Sequence, residues 1–189
     1  KIKDYHLNRD YPSMNGTSLL SVHLRFGTLG IRSLFNTVEH VNEIFLNELI
    51  WREFFMQILW HYPHSAVESF KPDYRSISWI NNPEDIELWK NGMTGYPIID
   101  AGMRELNKTG FMHNRVRMST ASFLCKHLLC DWRIGEAYFA EKLIDYDQSA
   151  NVGNWQWAAG SGCDAAPYFR IFNPYEQQKK FDAKFEYIV

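Results

Sequence analysis

The residues with the most chemical content run from Asp145 to Pro174, DYDQSANVGNWQWAAGSGCDAAPYFRIFNP. Two carboxylates, Asp145 and Asp147, precede Asn151. Trp155 and Trp157 follow, then a glycine-rich turn and an aromatic run with Arg170. Small residues let a backbone approach another molecule closely, and indoles offer flat, polarizable faces. The stretch holds too much polarity and glycine for a simple core helix. It reads as an irregular segment that holds a planar, polar ligand against aromatic rings. The plain alternative for Asn151 is a turn residue in a glycine-rich loop.

Three further groups carry usable spacing. Glu48, Trp51, Arg52 and Phe55 fall at i, i+3, i+4 and i+7, so one helix face shows a carboxylate, an indole, a guanidinium and a ring. Read plainly, this is an amphipathic helix with a Glu48–Arg52 pair worth a few tenths of a kcal/mol. Asn114, Arg117 and Met118, with Arg115 beside them, open the apolar run STASFLCKHLL. Polar groups buried there without partners cost about 1–3 kcal/mol each, so a partner is expected. Thr17, Ser18 and Ser21 of TSLLS place hydroxyls at a helix start, where free N–H groups favour an anion; taken alone this is a common N-cap pattern. No GxGxxG run is present, so a dinucleotide would not be held Rossmann-style. His61 and His64 straddle Pro63 with no cysteine near, and no metal site is expected.

These side chains need elements to position them, and the chain reads as helical. Residues 1–16 read as an extended opening loop. Helices are expected over Leu19–Phe26, Ile31–His40, Val41–His61, Pro83–Lys90 behind the Asn82 cap, Pro97 to a C-terminal glycine at Gly110, Asn114–Cys130 and Glu136–Asp145. Nothing alternates as a strand over more than four residues. The expectation is all-α, one domain over 1–189. Apolar residues make up 46% and aromatics 16%, with seven tryptophans, which leaves rings to spare for a ligand. The net charge of −2 is wrong for a generic nucleic-acid coat, so any DNA contact must come from a local patch. No run reaches the roughly 18–20 apolar residues of a membrane span, and no signal peptide opens the chain. Cys125, Cys130 and Cys163 lack metal spacing and read as reduced intracellular thiols.

The Asp145–Pro174 segment, with WQWAAGSG and DAAPYFRIFNP, resembles the flavin-binding signature of the DNA photolyase and cryptochrome family. Five other runs extend the resemblance in register over nearly the whole chain. They are Tyr5 with Arg9, TSLLS at Thr17–Ser21, ELIWREFF at Glu48–Phe55, GYPIID at Gly95–Asp100 and FMHNRVRM at Phe111–Met118. The resemblance implies a helical FAD-binding domain that is a fragment of a longer protein. An N-terminal α/β antenna domain and further C-terminal helices would lie outside it.

It also implies roles. Thr17, Ser18, Leu19, Leu20 and Ser21 would clamp the diphosphate of a bent FAD, active in its reduced form, and Tyr5, Phe45, Arg52 and Asn114 would add contacts. Arg117 would pair with Asp145 beside the flavin, Tyr146 and Asp147 would meet its polar edges, and Asn151 would face N5. Trp155, Trp132 and Trp79 would relay electrons, inner to outer. Glu48 would hydrogen-bond a pyrimidine edge, with Trp51, Arg52, Phe55, Asn114, Met118 and Trp157 around the damaged dimer. Arg9, Arg115, Gln177, Lys179 and Lys180 would meet DNA. Phe45, Val152 and Asn154 depart from residues common in the family. Asn114, Met118 and Trp157 match the class I pattern, against the histidines of (6-4) enzymes and the glutamine and tyrosine of the DASH type. The implied activity is light-driven repair of cyclobutane pyrimidine dimers in DNA, by a monomer without membrane contact, in the cytoplasm or nucleoid or otherwise inside the cell. A cryptochrome-like FAD photosensor and a helical DNA-binding module without cofactor are the alternatives.

Overall fold

A computed structural model describes every residue except Ala166 and Tyr168. The described residues form helices and turns and no strand, the all-α class expected. In chain order the helices are α1 (Tyr5–Asn8), α2 (Ser21–Arg25), α3 (Ile31–Val38), α4 (Glu43–His61), α5 (Pro83–Lys90), α6 (Pro97–Thr109), α7 (Asn114–Lys126), α8 (Trp132–Lys142), α9 (Gln148–Ala159) and α10 (Pro174–Phe181). Two 3-10 turns, Pro63–Ala66 and Pro72–Tyr74, connect α4 to α5.

Side-chain caps fix most of these starts by satisfying amide donors that the first turn leaves free. Asn42 accepts from Phe45 N at 3.0 Å, Asn82 from Glu84 N at 2.9 Å and Asp131 from Arg133 N at 3.0 Å. Asp147 accepts from Ala150 N at 3.1 Å and Asn173 from Tyr175 N at 3.0 Å. Gly110 closes α6 in the left-handed conformation at φ 71°, as its place in the sequence predicts. The GYPIID run owes its aspartate to a turn: Asp100 accepts from Thr94 N at 2.8 Å and Gly95 N at 2.9 Å.

Several boundaries differ from the sequence reading. The opening loop contains the short helix α1, α2 is trimmed to five residues, and α3 stops at Val38. Helix α4 begins at Glu43 rather than Val41 because Asn42 caps it. Helix α7 ends at Lys126 rather than Cys130, since Leu129 turns to φ 53° and Cys130 N bonds back to Leu124 O at 3.0 Å. That turn frees Asp131 to start α8 at Trp132, four residues early. The larger correction concerns Asp145–Pro174. Its WQW run lies in a regular helix, α9, and α10 follows at Pro174.

Helix α9 tolerates Gly153 because that position is packed from outside: a Cβ there would stand 2.2 Å from the Phe55 ring of α4. On the neighbouring face, a Cβ at Gly135 of α8 would stand 2.1 Å from the Trp155 indole. So α9 packs closely on both partners and also on α7. Gln156 anchors its far side. Its oxygen accepts from Phe70 N at 2.8 Å, and its amide donates to Ser65 O at 2.7 Å and Glu68 O at 3.0 Å. Two apolar clusters result. The larger, around Trp89, Ile98, Met103, Trp132, Phe139 and Trp155, is built by α5 to α9. The smaller joins Leu34, Val38, Phe45 and Leu49 of α3 and α4.

Candidate functional site

Between the two clusters lies a cavity of about 340 Å³, within the usual range for small-molecule sites. Phe45 and Leu49 of the small cluster form one wall; Phe139, Leu143, Trp155 and Ala158 of the large cluster form another. The polar residues on its surface come from four places.

The first is the junction of α7 with the chain before α9. Arg117 Nη2 donates to both oxygens of Asp145, at 3.1 and 3.0 Å, and its Nε donates to Met112 O at 2.6 Å. The guanidinium lies over the Phe111 ring at 5.3 Å. Asp145 is buried, so its charge is stable there only with a well-oriented partner. Asn114 and Met118 line the cavity one turn apart, with the Asn114 amide 3.9 Å from the Met118 sulfur. His113 caps α7 through Nδ1, 3.2 Å from Arg115 N. Burial, with Arg115 adding, pushes its pKa down to about 4, so the imidazole is neutral.

Asn151 holds the second place, in the body of α9 rather than a turn. Its amide donates to the Glu136 backbone oxygen at 3.2 Å and to Glu136 Oε1 at 3.1 Å. Both N–H groups are therefore spoken for, and only an acceptor oxygen remains for a ligand. Tyr146 donates to the same carboxylate at 3.0 Å. Its phenol is pushed up to about 12 by burial, with Glu136 adding. Sequence reasoning missed Glu136, which lies fifteen residues before Asn151 with no spacing to mark it.

The third is α4, where the four residues expected on one face divide. Glu48 and Arg52 line the cavity. They do not form the expected i,i+4 pair: Arg9 Nη1 donates to Glu48 Oε1 at 2.6 Å, and Arg52 stands 3.9 Å from Asp147. Trp51 is 44% exposed and stacks on Phe55 at 6.0 Å, outside the cavity wall. Phe55 is buried against Gly153, so its expected place beside a substrate is corrected to a packing position between α4 and α9.

The hydroxyl motif is the fourth. Thr17, Ser18, Leu19, Leu20 and Ser21 all line the cavity, as do Tyr5 and Arg25. Leu19 takes φ 59°, and Ser18 Oγ accepts from Leu20 N at 3.3 Å, which makes the motif a tight turn. The expected helix-start field is weak, because α2 has only five residues. Hydroxyls and loop amides are what remain to meet an anion. Tyr5 meets Phe45 edge-on at 5.1 Å, and burial, with Glu48 adding, raises its phenol pKa. Arg25 was missed because nothing in its spacing separates it from any charged helix residue.

Asp147, Asn154 and Trp157 also line the cavity. Arg9, Arg115 and Gln177 lie outside the cavity, and Lys179 and Lys180 are exposed at the end of α10. Trp155 is on the cavity wall and buried; Trp132 is buried in the same core, and Trp79 packs against it partly exposed. The rings that touch Trp155 are Trp89, at 6.1 Å, and Phe139, at 5.0 Å. Among the described residues no ring contact joins Trp155, Trp132 and Trp79 to one another. Aromatic walls, a hydroxyl turn and a buried ion pair together suit a ligand with a flat polar ring and an anionic section.

Residues 45–189 match the family described as the FAD binding domain of DNA photolyase. The chain is 47% identical over 194 residues to a deoxyribodipyrimidine photo-lyase of Alkalihalophilus pseudofirmus, covering 100% of this chain and 40% of that protein. Its fold superposes with a TM-score of 0.94 on a bacterial class III photolyase from Agrobacterium tumefaciens, at 44% identity over 99% of this chain and 40% of the other. A Synechocystis cryptochrome superposes at 0.91 with 38% identity, over 99% of this chain and 41% of the other. The chain thus spans about two fifths of the length of the relatives it matches.

Proposed function

Because this chain belongs to the family of FAD-binding domains of DNA photolyases, we propose that it binds FAD and serves light-driven repair of cyclobutane pyrimidine dimers. Residues 1–189 are then the cofactor-binding domain of a longer, monomeric enzyme of the class I type that acts on DNA inside the cell. The observation that carries this reading is one shared cavity. Glu48, Asn114 and Met118 open onto the same space as Asn151 and the Arg117–Asp145 pair. A cofactor and a flipped-out pyrimidine dimer can therefore meet within it.

When bound, FAD supplies the light absorption and lends and recovers one electron, so that the cyclobutane ring opens without net oxidation or reduction. The protein supplies geometry and charge. The hydroxyl turn from Thr17 to Ser21 holds the diphosphate, and Phe45, Phe111 and Trp155 enclose the rings. Asn151 offers its oxygen to a flavin N–H and has no acidic proton to give. Arg117 places a positive charge beside the ring system while Asp145 keeps it fixed. Glu48, an acceptor when ionised, takes an N–H from a pyrimidine edge, and Met118 and Trp157 pack around the flipped dimer. Extrusion costs only a few kcal/mol for a damaged, poorly stacked pair. Trp155, Trp132 and Trp79 provide a route from solvent for reducing the cofactor. What supports that route is burial of the first two in one core and partial exposure of the third.

The test is repair of dimer-containing oligothymidine by the flavin-loaded, chemically reduced protein, followed by recovery of base absorbance. Recovery under blue light and none in darkness is expected. No recovery with reduced flavin bound would overturn the repair reading in favour of a photosensor, and a protein that never takes up flavin would overturn both.

A further inference from the structure

Outside the cavity, two arginines from distant parts of the chain converge on one carboxylate. Arg115, the second residue of α7, donates through Nη2 to Asp10 Oδ1, and Arg9, at the end of α1, places Nε 4.0 Å from the same oxygen. Each guanidinium is backed by a ring: Arg9 lies over Tyr5 at 5.1 Å and Arg115 over Phe181 at 4.3 Å. Arg9 also holds Glu48 at 2.6 Å. The result is an alternating series, Glu48–Arg9–Asp10–Arg115, in which two negative groups balance two positive ones. Its arginine side chains are 23% and 21% exposed, and that of Asp10 is 40% exposed.

This geometry has a chemical meaning for a protein that must ignore most of the DNA it meets. A guanidinium fork fits a carboxylate and a phosphate in the same way. Asp10 thus stands where a backbone phosphate oxygen would stand. Being the most exposed member, it is held by pairs of the weak, surface kind that an incoming anion can replace. A phosphate that takes either arginine exchanges one ion pair for another, so the net gain is small. Affinity must then come from contacts that only an extruded dimer can make in the cavity.

Resting on the proposed repair function, we propose that Asp10 is a specificity-determining residue. It acts as a built-in anion that occupies Arg9 and Arg115, suppresses their binding to undamaged DNA, and leaves recognition to the damage pocket. Without its charge, Arg115 becomes a free phosphate ligand for any duplex, and Arg9 keeps only its pair with Glu48.

The experiment measures dissociation constants of the flavin-loaded protein in darkness, against salt, for an undamaged duplex and the same duplex with one thymine dimer. Asp10→Asn is expected to bind undamaged DNA about fivefold more tightly at low salt and to steepen its log K against log salt slope by about 1, as expected for one added phosphate contact. Affinity for the dimer duplex should change much less, so discrimination falls. Asp10→Glu, which restores the charge, should return both slopes and ratio to the wild-type values; a purely structural role would instead weaken both duplexes. Asp10→Ser repeats the test should the asparagine variant misfold. Unchanged or weaker binding of undamaged DNA at an unchanged slope overturns the proposal while leaving repair standing. A wild-type protein that does not distinguish the two duplexes overturns both.

Discussion

Glu136 holds both amide hydrogens of Asn151, one on its backbone oxygen at 3.2 Å and one on its carboxylate at 3.1 Å. The side chain proposed to face the flavin is thus oriented by a residue on a different helix. In Glu136→Ala the carboxylate bond is lost and only the bond to the backbone oxygen remains. The amide is then held less firmly and has one N–H to present to the cavity. The variant is expected to bind flavin but accumulate less of the reduced form under illumination with an external donor. Absorbance spectra of matched samples decide it, and an unchanged reduced fraction would show that orientation does not matter.

The Arg117–Asp145 pair makes a stability prediction independent of light. Arg117→Met leaves a buried carboxylate without its partner, a loss of about 3 kcal/mol or more. Asp145→Asn in the same chain removes the stranded charge and should recover most of it. Urea denaturation of the flavin-free protein measures both, and equal stability of single and double variants would contradict the argument.

Gly135 predicts an overpacking effect. Its missing Cβ leaves the Trp155 indole only 2.1 Å from where that atom would stand. Gly135→Ala must push the ring toward the cavity or the helices apart, costing about 1–3 kcal/mol. Flavin affinity should fall with stability. Loss of stability with unchanged flavin affinity would mean that the helices, and not the indole, give way.

His113 gives a pH dependence with a definite sign. Its folded pKa is lowered from 6.5 to about 4. Between those values the unfolded chain takes a proton that the folded chain refuses, so stability falls as pH drops through the window and levels off below it. The full effect is about 3 kcal/mol. His113→Asn keeps a capping oxygen for α7 but cannot titrate, so its stability profile should be flatter over that range. Parallel profiles for the two proteins would rule His113 out as the source.

Much of this was legible in the sequence where the cause is local. Asn82 and Pro83 start α5, and Gly110 ends α6, because caps act within a few residues. The cavity residues were reached by motif, yet α9 was read as irregular because Gly153 and Asn151 are poor helix formers on their own. What makes a helix there is Asp147 at its start and Phe55 filling the space over Gly153, a contact across nearly a hundred residues. Glu48 teaches the same lesson. Its i,i+4 neighbour Arg52 offers a few tenths of a kcal/mol, and Arg9, thirty-nine residues earlier, brings a 2.6 Å charge-assisted bond that outcompetes it. No local spacing encodes such a partner.

Gln156 sits between the two cavity indoles, Trp155 and Trp157, and successive helix residues point about 100° apart. Its three hydrogen bonds to the segment 65–70 therefore act on α9 as a torsional lock. A turn of the helix about its own axis would break all three together. The angular setting of Asn151 and Trp155, on which the proposed electron transfer depends, is thus registered from the side of the helix that faces away from the cavity.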